Sequence, residues 1–217
     1  MKLTDNTAPR RFAEALQDQR VVAIIRQSSP EAACEIGDRL LSAGVRLIEV
    51  SLVTPGALDV VAALAERAKA YPDSLIGGGT VLEQIDVHRV SNAGGRFILS
   101  PIFDRRVVRA AQEQGLSVVP GCATPTEMLE ATRLGVDAVK IFPASNWTPR
   151  SLRDVLQALP ELLCLPTGGV TAISVTDWLN AGAAGVGLGS GMSELDLTGI
   201  RQLLASTSGH DSVESRG

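Results

Sequence analysis

Histidine is nearly absent from this 217-residue chain: His88 falls in a polar helical stretch and His210 in a Ser/Gly-rich tail. A histidine-based triad and a multi-histidine metal centre are thereby excluded. Cysteine is scarce too. Cys34, Cys122 and Cys164 are an odd, widely spaced set with no Cys-x-x-Cys pair, which predicts reduced thiols rather than a redox couple or a zinc site. Aromatic residues make up 3% and the net charge is −4, so the chain has neither stacking platforms nor a basic footprint for nucleic acid. No apolar run reaches membrane-spanning length, and the first residues, with Asp5, Asn6 and Pro9, lack a signal-peptide core, so a cytoplasmic location is expected. What remains for chemistry is lysine, carboxylates, hydroxyls and backbone, with no metal and no cofactor expected.

Lysine itself is the scarcest of the charged residues, three against seventeen arginines. Lys2 lies in a polar segment and Lys69 on what reads as an exposed helix face, but Lys140 sits inside the apolar run Ala138-Val139-Lys140-Ile141-Phe142-Pro143. Burying an ammonium is costly unless it is paired or loses its proton, and a depressed pKa is what makes a lysine amine nucleophilic. The alternative is a strand-end lysine reaching water or a structural carboxylate.

Short β-rich runs alternate with helical stretches along nearly the whole chain. Strands are predicted over 21–26, 46–52, 75–79, 97–100, 117–120, 138–142, 163–167 and 185–189, with helices over 30–43, 56–70, 104–114, 125–134, 149–158 and 172–181. Several helices open on proline and close on glycine, as at Gly44, Gly115, Gly135 and Gly182. Eight repeats of roughly 25 residues fit an α/β (β/α)8 TIM barrel with an extra N-terminal helix over 4–19. An open doubly wound sheet would want a glycine-rich turn after the first strand, where this chain has Gln27-Ser28-Ser29-Pro30. One domain is expected over 1–204, with a loose polar tail over 205–217.

Barrel chemistry gathers at the C-terminal ends of strands. Strand alternation puts Ala138, Lys140 and Phe142 on one face, and Leu47, Glu49 and Ser51 on one face of the second strand. If these faces point inward, Glu49 is the natural partner of Lys140, either as a structural ion pair or as a catalytic pair. Pro166-Thr167-Gly168-Gly169 and Gly187-Leu188-Gly189-Ser190 follow strands seven and eight, where barrels commonly bind phosphate. Gly77-Gly78-Gly79-Thr80 is a third such loop, suited to a carboxylate. Arg26 ends the first strand and favours an anionic ligand. A lysine amine, a carboxylate and an oxyanion cradle together point to imine chemistry on a small phosphorylated carbonyl compound. A phosphate-binding barrel isomerase or epimerase, and a catalytically silent sugar-phosphate binder, are the rival readings.

Ile24-Ile25-Arg26, Leu47-Ile48-Glu49-Val50, Ile76-Gly77-Gly78-Gly79-Thr80-Val81, Ser100-Pro101, Val119-Pro120-Gly121, Lys140-Ile141-Phe142-Pro143 and Pro166-Thr167-Gly168-Gly169-Val170 together carry a resemblance. From about Val21 to Met192 the chain resembles the class I 2-keto-3-deoxy-6-phosphogluconate (KDPG) aldolases, a family that includes 2-keto-3-deoxy-6-phosphogalactonate and 4-hydroxy-2-oxoglutarate (KHG) aldolases. The resemblance implies Lys140 as the Schiff-base lysine and Glu49 as the proton-transferring carboxylate. It implies that Thr80 and nearby amides hold the pyruvate carboxylate, that Pro101 and Phe142 line the pocket, and that Gly168, Gly169, Gly189 and Ser190 hold the phosphate. It implies a homotrimer with a phosphorylated 2-keto-3-deoxy sugar acid and pyruvate as ligands; no nucleic-acid or membrane partner is expected, on composition and charge. Some members place an arginine four residues after the glutamate, where this chain has Val53. The 120–124 and 187–190 segments look closer to the phosphogalactonate branch, whereas Thr167 looks like the phosphogluconate branch and lies nearer the expected stereocentre, so gluconate is the expected substrate.

Overall fold

The computed structural model describes residues 7–208. Its strands are β1 (Val21–Ile25), β2 (Leu47–Ser51), β3 (Leu75–Gly79), β4 (Phe97–Leu99), β5 (Ser117–Val119), β6 (Gly121–Cys122), β7 (Val139–Ile141), β8 (Cys164–Pro166) and β9 (Val186–Leu188). Its helices are α1 (Thr7–Gln19), α2 (Pro30–Ala43), α3 (Ala57–Arg67), α4 (Gln84–Asn92), α5 (Arg105–Glu113), α6 (Pro125–Arg133), α7 (Pro149–Ala158), α8 (Val175–Asn180), α9 (Ser190–Ser193) and α10 (Leu197–Thr207).

All strand pairs are parallel. One sheet runs β5-β4-β3-β2-β1-β9 and the other β6-β7-β8. The single strand expected over 117–120 is divided because Pro120 has no N–H to give the ladder. The seam is still bonded. Asp137 N–H donates to the Val118 carbonyl (3.2 Å) and Lys140 N–H to the Pro120 carbonyl (2.8 Å). At the other seam Ala184 N–H donates to the Cys164 carbonyl (2.9 Å), and Thr167 pairs with Gly187. The result is a curled parallel sheet whose two parts are hydrogen-bonded to each other along both seams.

Alternation sorts the strand side chains onto two faces. Val22, Leu47, Leu75, Phe97, Leu99, Val119, Ala138 and Leu165 point to the inside of the curl, together with Phe12, Ala15 and Leu16 of α1. Phe12 stacks at a tilt on Phe97, ring centroids 5.2 Å apart. The leading helix thus packs its apolar stripe against the inner side chains. The opposite strand faces carry Ala23, Ile25, Ile48, Val50, Val139, Ile141, Val186 and Leu188 under the helices.

Caps set the helix boundaries. Ser29 accepts from Ala32 N–H ahead of Pro30, and Thr124 with Glu127 forms a capping box ahead of Pro125. Gly44, at φ 89°, closes α2 in the left-handed conformation that a side chain resists. His88 lies within α4, as its polar surroundings predict. α10 continues to Thr207, past the boundary expected at 204, because Leu203, Leu204 and Thr207 extend its buried face. Residues 4–6 of the expected leading helix, and most of the expected tail including His210, lie outside the described residues.

Candidate active site

The inward face of β2 carries Glu49 and that of β7 carries Lys140, and both reach the same cavity. Each has a glycine on one side. In the strand register Glu49 stands between Ile24 of β1 and Gly77 of β3, and Lys140 between Gly121 and Leu165. A Cβ on Gly79 would fall 1.5 Å from Glu49 Oε1, so the carboxylate occupies space that the missing side chain leaves. A Cβ on Gly121 would meet the Pro101 backbone at 2.3 Å. Glycine is needed at both positions because other atoms already occupy the space.

Both charged groups are buried, Glu49 at 1% exposure and Lys140 at 5%. Burial pushes the Glu49 carboxyl up from its ordinary range; the charges of Lys140 and Arg26 oppose this without cancelling it. Burial pulls the Lys140 amine down, opposed by Glu49 and assisted by Arg26. Both shifts run toward the neutral pair, a free amine beside a carboxylic acid. Lys140 makes no ion pair among the described residues. Its Nζ lies 4.8 Å from the centroid of the Phe142 ring, and Glu49 Oε2 is a buried acceptor with no hydrogen-bond partner. Two ionisable groups thus stand at one cavity, buried from bulk solvent and without a protein partner that closes on either.

The cavity has a volume of about 720 Å³. Of the residues expected at the site, Arg26, Glu49, Lys140, Phe142, Thr167, Gly168, Gly169, Gly189 and Ser190 all line it. Gly168 (φ 83°) and Gly169 (φ 95°) are left-handed, and a Cβ would strike the Phe142 ring and Ser145 respectively. These positions need glycine on both counts. Thr167 is buried, and its hydroxyl donates to the Leu165 carbonyl (3.1 Å) while filling the space beside Gly187. Thr80 and Pro101 are not on the cavity wall. Thr80 sits at φ 59° with its hydroxyl bonded to Ser51 (2.8 Å), and Pro101 packs its backbone on Gly121.

Sequence reasoning passed over Gln27, Thr171, Ser193 and Glu194, which also line the cavity. Helical spacing after Ser190 was the available signal for Ser193 and Glu194, since residues three and four apart share a helix face. Gln27 is placed by a tertiary bond, its N–H donating to Thr54 Oγ1 (3.3 Å). Among the described residues no group of three or more His, Cys, Asp or Glu side chains could hold a metal ion.

A family model described as "Aldolase: KDPG and KHG aldolase" matches residues 12–203. The chain belongs to the KDPG and KHG aldolase family. Within it, the chain is 36% identical over 172 residues to the 2-dehydro-3-deoxy-6-phosphogalactonate aldolase of Escherichia coli K12, covering 78% of this chain and 82% of that one. It is 33% identical to a probable 2-dehydro-3-deoxy-6-phosphogalactonate aldolase of Rhizobium meliloti, covering 90% and 93%. The solved KDPG aldolase of Legionella pneumophila, which holds pyruvate as a covalent carbinolamine, superposes with a TM-score of 0.76 at 28% identity, covering 91% and 98%. This aldolase is accordingly a carbon–carbon lyase. The aldolase cavity pairs a buried amine, suited to add to a carbonyl, with a buried acid able to trade a proton with the adduct.

Proposed function

We propose that the chain is a class I aldolase that cleaves a 2-keto-3-deoxy-6-phospho sugar acid to pyruvate and glyceraldehyde 3-phosphate, with Lys140 as the imine-forming residue. The supporting observation is the facing pair: an amine and a carboxyl, each driven by burial toward its neutral form, in one cavity. In that state the Lys140 Nζ lone pair adds to the C2 ketone. Glu49, starting protonated, gives its proton to the carbinolamine hydroxyl, which leaves as water and yields a cationic imine. The Glu49 carboxylate so formed removes the proton of the C4 hydroxyl, the C3–C4 bond breaks, and its electron pair moves into the imine as an enamine. Protonation at C3 and hydrolysis release pyruvate and return the amine. Arg26, with no ion-pair partner among the described residues, supplies the cation for an anionic end of the substrate, and Gly168, Gly169, Gly189 and Ser190 form the phosphate end.

The C4 epimer is a finer matter. The gluconate reading rests on Thr167. The galactonate reading has more support, because the two relatives named above carry that activity in their names and the Thr167 hydroxyl is already turned to its own strand. We favour the galactonate epimer, with the gluconate epimer and 4-hydroxy-2-oxoglutarate as the competing substrates in the assay. The curled sheet is read as an eight-stranded (β/α)8 barrel in which β5 and β6 are one strand interrupted at Pro120, with α1 as the extra helix. A cytoplasmic homotrimer completes the reading. Val53, Leu82 and Ile102 on the connections after β2, β3 and β4, and Ile85 in the first turn of α4, are large apolar side chains left exposed, as residues that a second copy covers would be.

Borohydride added with pyruvate is expected to fix a covalent adduct on Lys140, read by peptide mass mapping. An unmodified Lys140, or labelling elsewhere, rejects the mechanism.

A further inference from the structure

One end of the cavity wall is a single helical turn. α9 has four residues, too few to hold its own shape, yet Ser190 and Ser193 both face the cavity. Two attachments hold it. Met192 is fully buried, and the Ser193 carbonyl accepts a hydrogen bond from Arg39 Nη2, which reaches over from α2, 154 residues away in sequence. Arg39 does not line the cavity, and its Nε is a buried donor with no acceptor. An apolar side chain could brace two helices without leaving a donor orphaned. What the guanidinium adds is direction and charge. Its bond gives the last carbonyl of the turn a donor and ties α9 to α2.

We propose that Arg39 is a positioning residue for the anion-binding end of the cavity. It orients the α9 turn so that Gly189 and Ser190 face a phosphate, and it does so without touching the ligand. The idea rests on the phosphate-binding reading given under the proposed function, so its test includes a measurement independent of aldol cleavage.

The full-length chain and its Arg39→Met, Arg39→Gln and Arg39→Lys variants are titrated with inorganic phosphate by calorimetry. Each is then assayed on the phosphorylated sugar acid and on unphosphorylated 4-hydroxy-2-oxoglutarate. Arg39→Met and Arg39→Gln are expected to weaken phosphate binding and raise KM for the phosphorylated substrate by about tenfold or more, the scale on which small misplacements act. kcat, KM for the unphosphorylated acid and pyruvate–borohydride trapping are expected to hold. Arg39→Lys, which still donates to the Ser193 carbonyl, is expected to recover part of the loss. Equal losses on both substrates, unchanged phosphate affinity in the folded Gln variant, or a Lys variant no better than Gln overturns the proposal. A wild-type chain that pyruvate and borohydride leave unmodified rejects the aldolase reading instead, and the phosphate titration then decides Arg39 alone.

Discussion

Gly79→Ala adds one methyl group at the point where the site is tightest. The new Cβ would stand 1.5 Å from Glu49 Oε1, 2.2 Å from Cδ and 2.6 Å from Cγ. The first of these falls about 2 Å short of the separation at which ordinary carbon–oxygen contact begins, so the carboxylate has to retreat by roughly that amount. No hydrogen bond restrains Glu49 Oε2, so the side chain swings before the strand gives way. The backbone tolerates alanine, because Gly79 is not among the glycines in the left-handed region. A misplacement of about 1 Å at a reacting group costs on the order of a hundredfold, so kcat for pyruvate release should fall by at least about that factor while the chain stays folded. The assay couples pyruvate to lactate dehydrogenase, with circular dichroism as the fold control. A double variant separates cause from coincidence: Gly79→Ala on a Glu49→Gln background should lose little more, since the methyl acts through a carboxylate already absent. A near-normal rate in the folded single variant, or losses that multiply in the double, would refute this account of Gly79.

Glu49→Gln alone is expected to lower kcat on the order of a hundredfold or more, the range of acid–base residues, and a near-normal rate removes Glu49 from proton transfer. It also carries a stability signature. The folded carboxyl holds its proton to higher pH than the unfolded one, so wild-type stability falls as pH rises from the ordinary carboxylate range toward the raised folded value. The Gln variant lacks that loss and should be the more stable at neutral pH, the gap closing as pH drops below about 4; urea melts at pH 4 and pH 8 that show no such convergence count against the neutral carboxyl. Thr167→Val should leave the kcat/KM ratio between the two C4 epimers within about twofold, because the hydroxyl it removes donates to the Leu165 carbonyl rather than into the cavity, and a shift of about tenfold, the scale of a single small pocket contact, would return Thr167 to specificity.

Much of the fold was legible because local chemistry agreed with it. Alternation placed Glu49 and Lys140 on their strand faces, and Pro30, Pro125 and Pro149 marked helix starts that the structure keeps. The division of the fifth strand was foreshadowed by Pro120, although a proline at a strand end reads the same in sequence as one in mid-strand. Thr80 and Pro101 were expected at the site from their motifs. They stand instead against Ser51 and Gly121, neighbours remote in sequence that only the fold brings beside them.

Which residues could act is written along the chain: a lysine in an apolar run, a glutamate behind two aliphatic residues, and glycines where backbone must turn left-handed. These are properties of a residue and its near neighbours, and periodicity of two or 3.6 residues expresses them. That Glu49 and Lys140, 91 positions apart, face one cavity without closing into an ion pair follows from the packed fold. So do the room that Gly79 leaves for the carboxylate and the bond by which Arg39 of α2 reaches the Ser193 carbonyl of α9. Register across parallel strands and the curl of the sheet set those distances, and neither is encoded in any short stretch of chain.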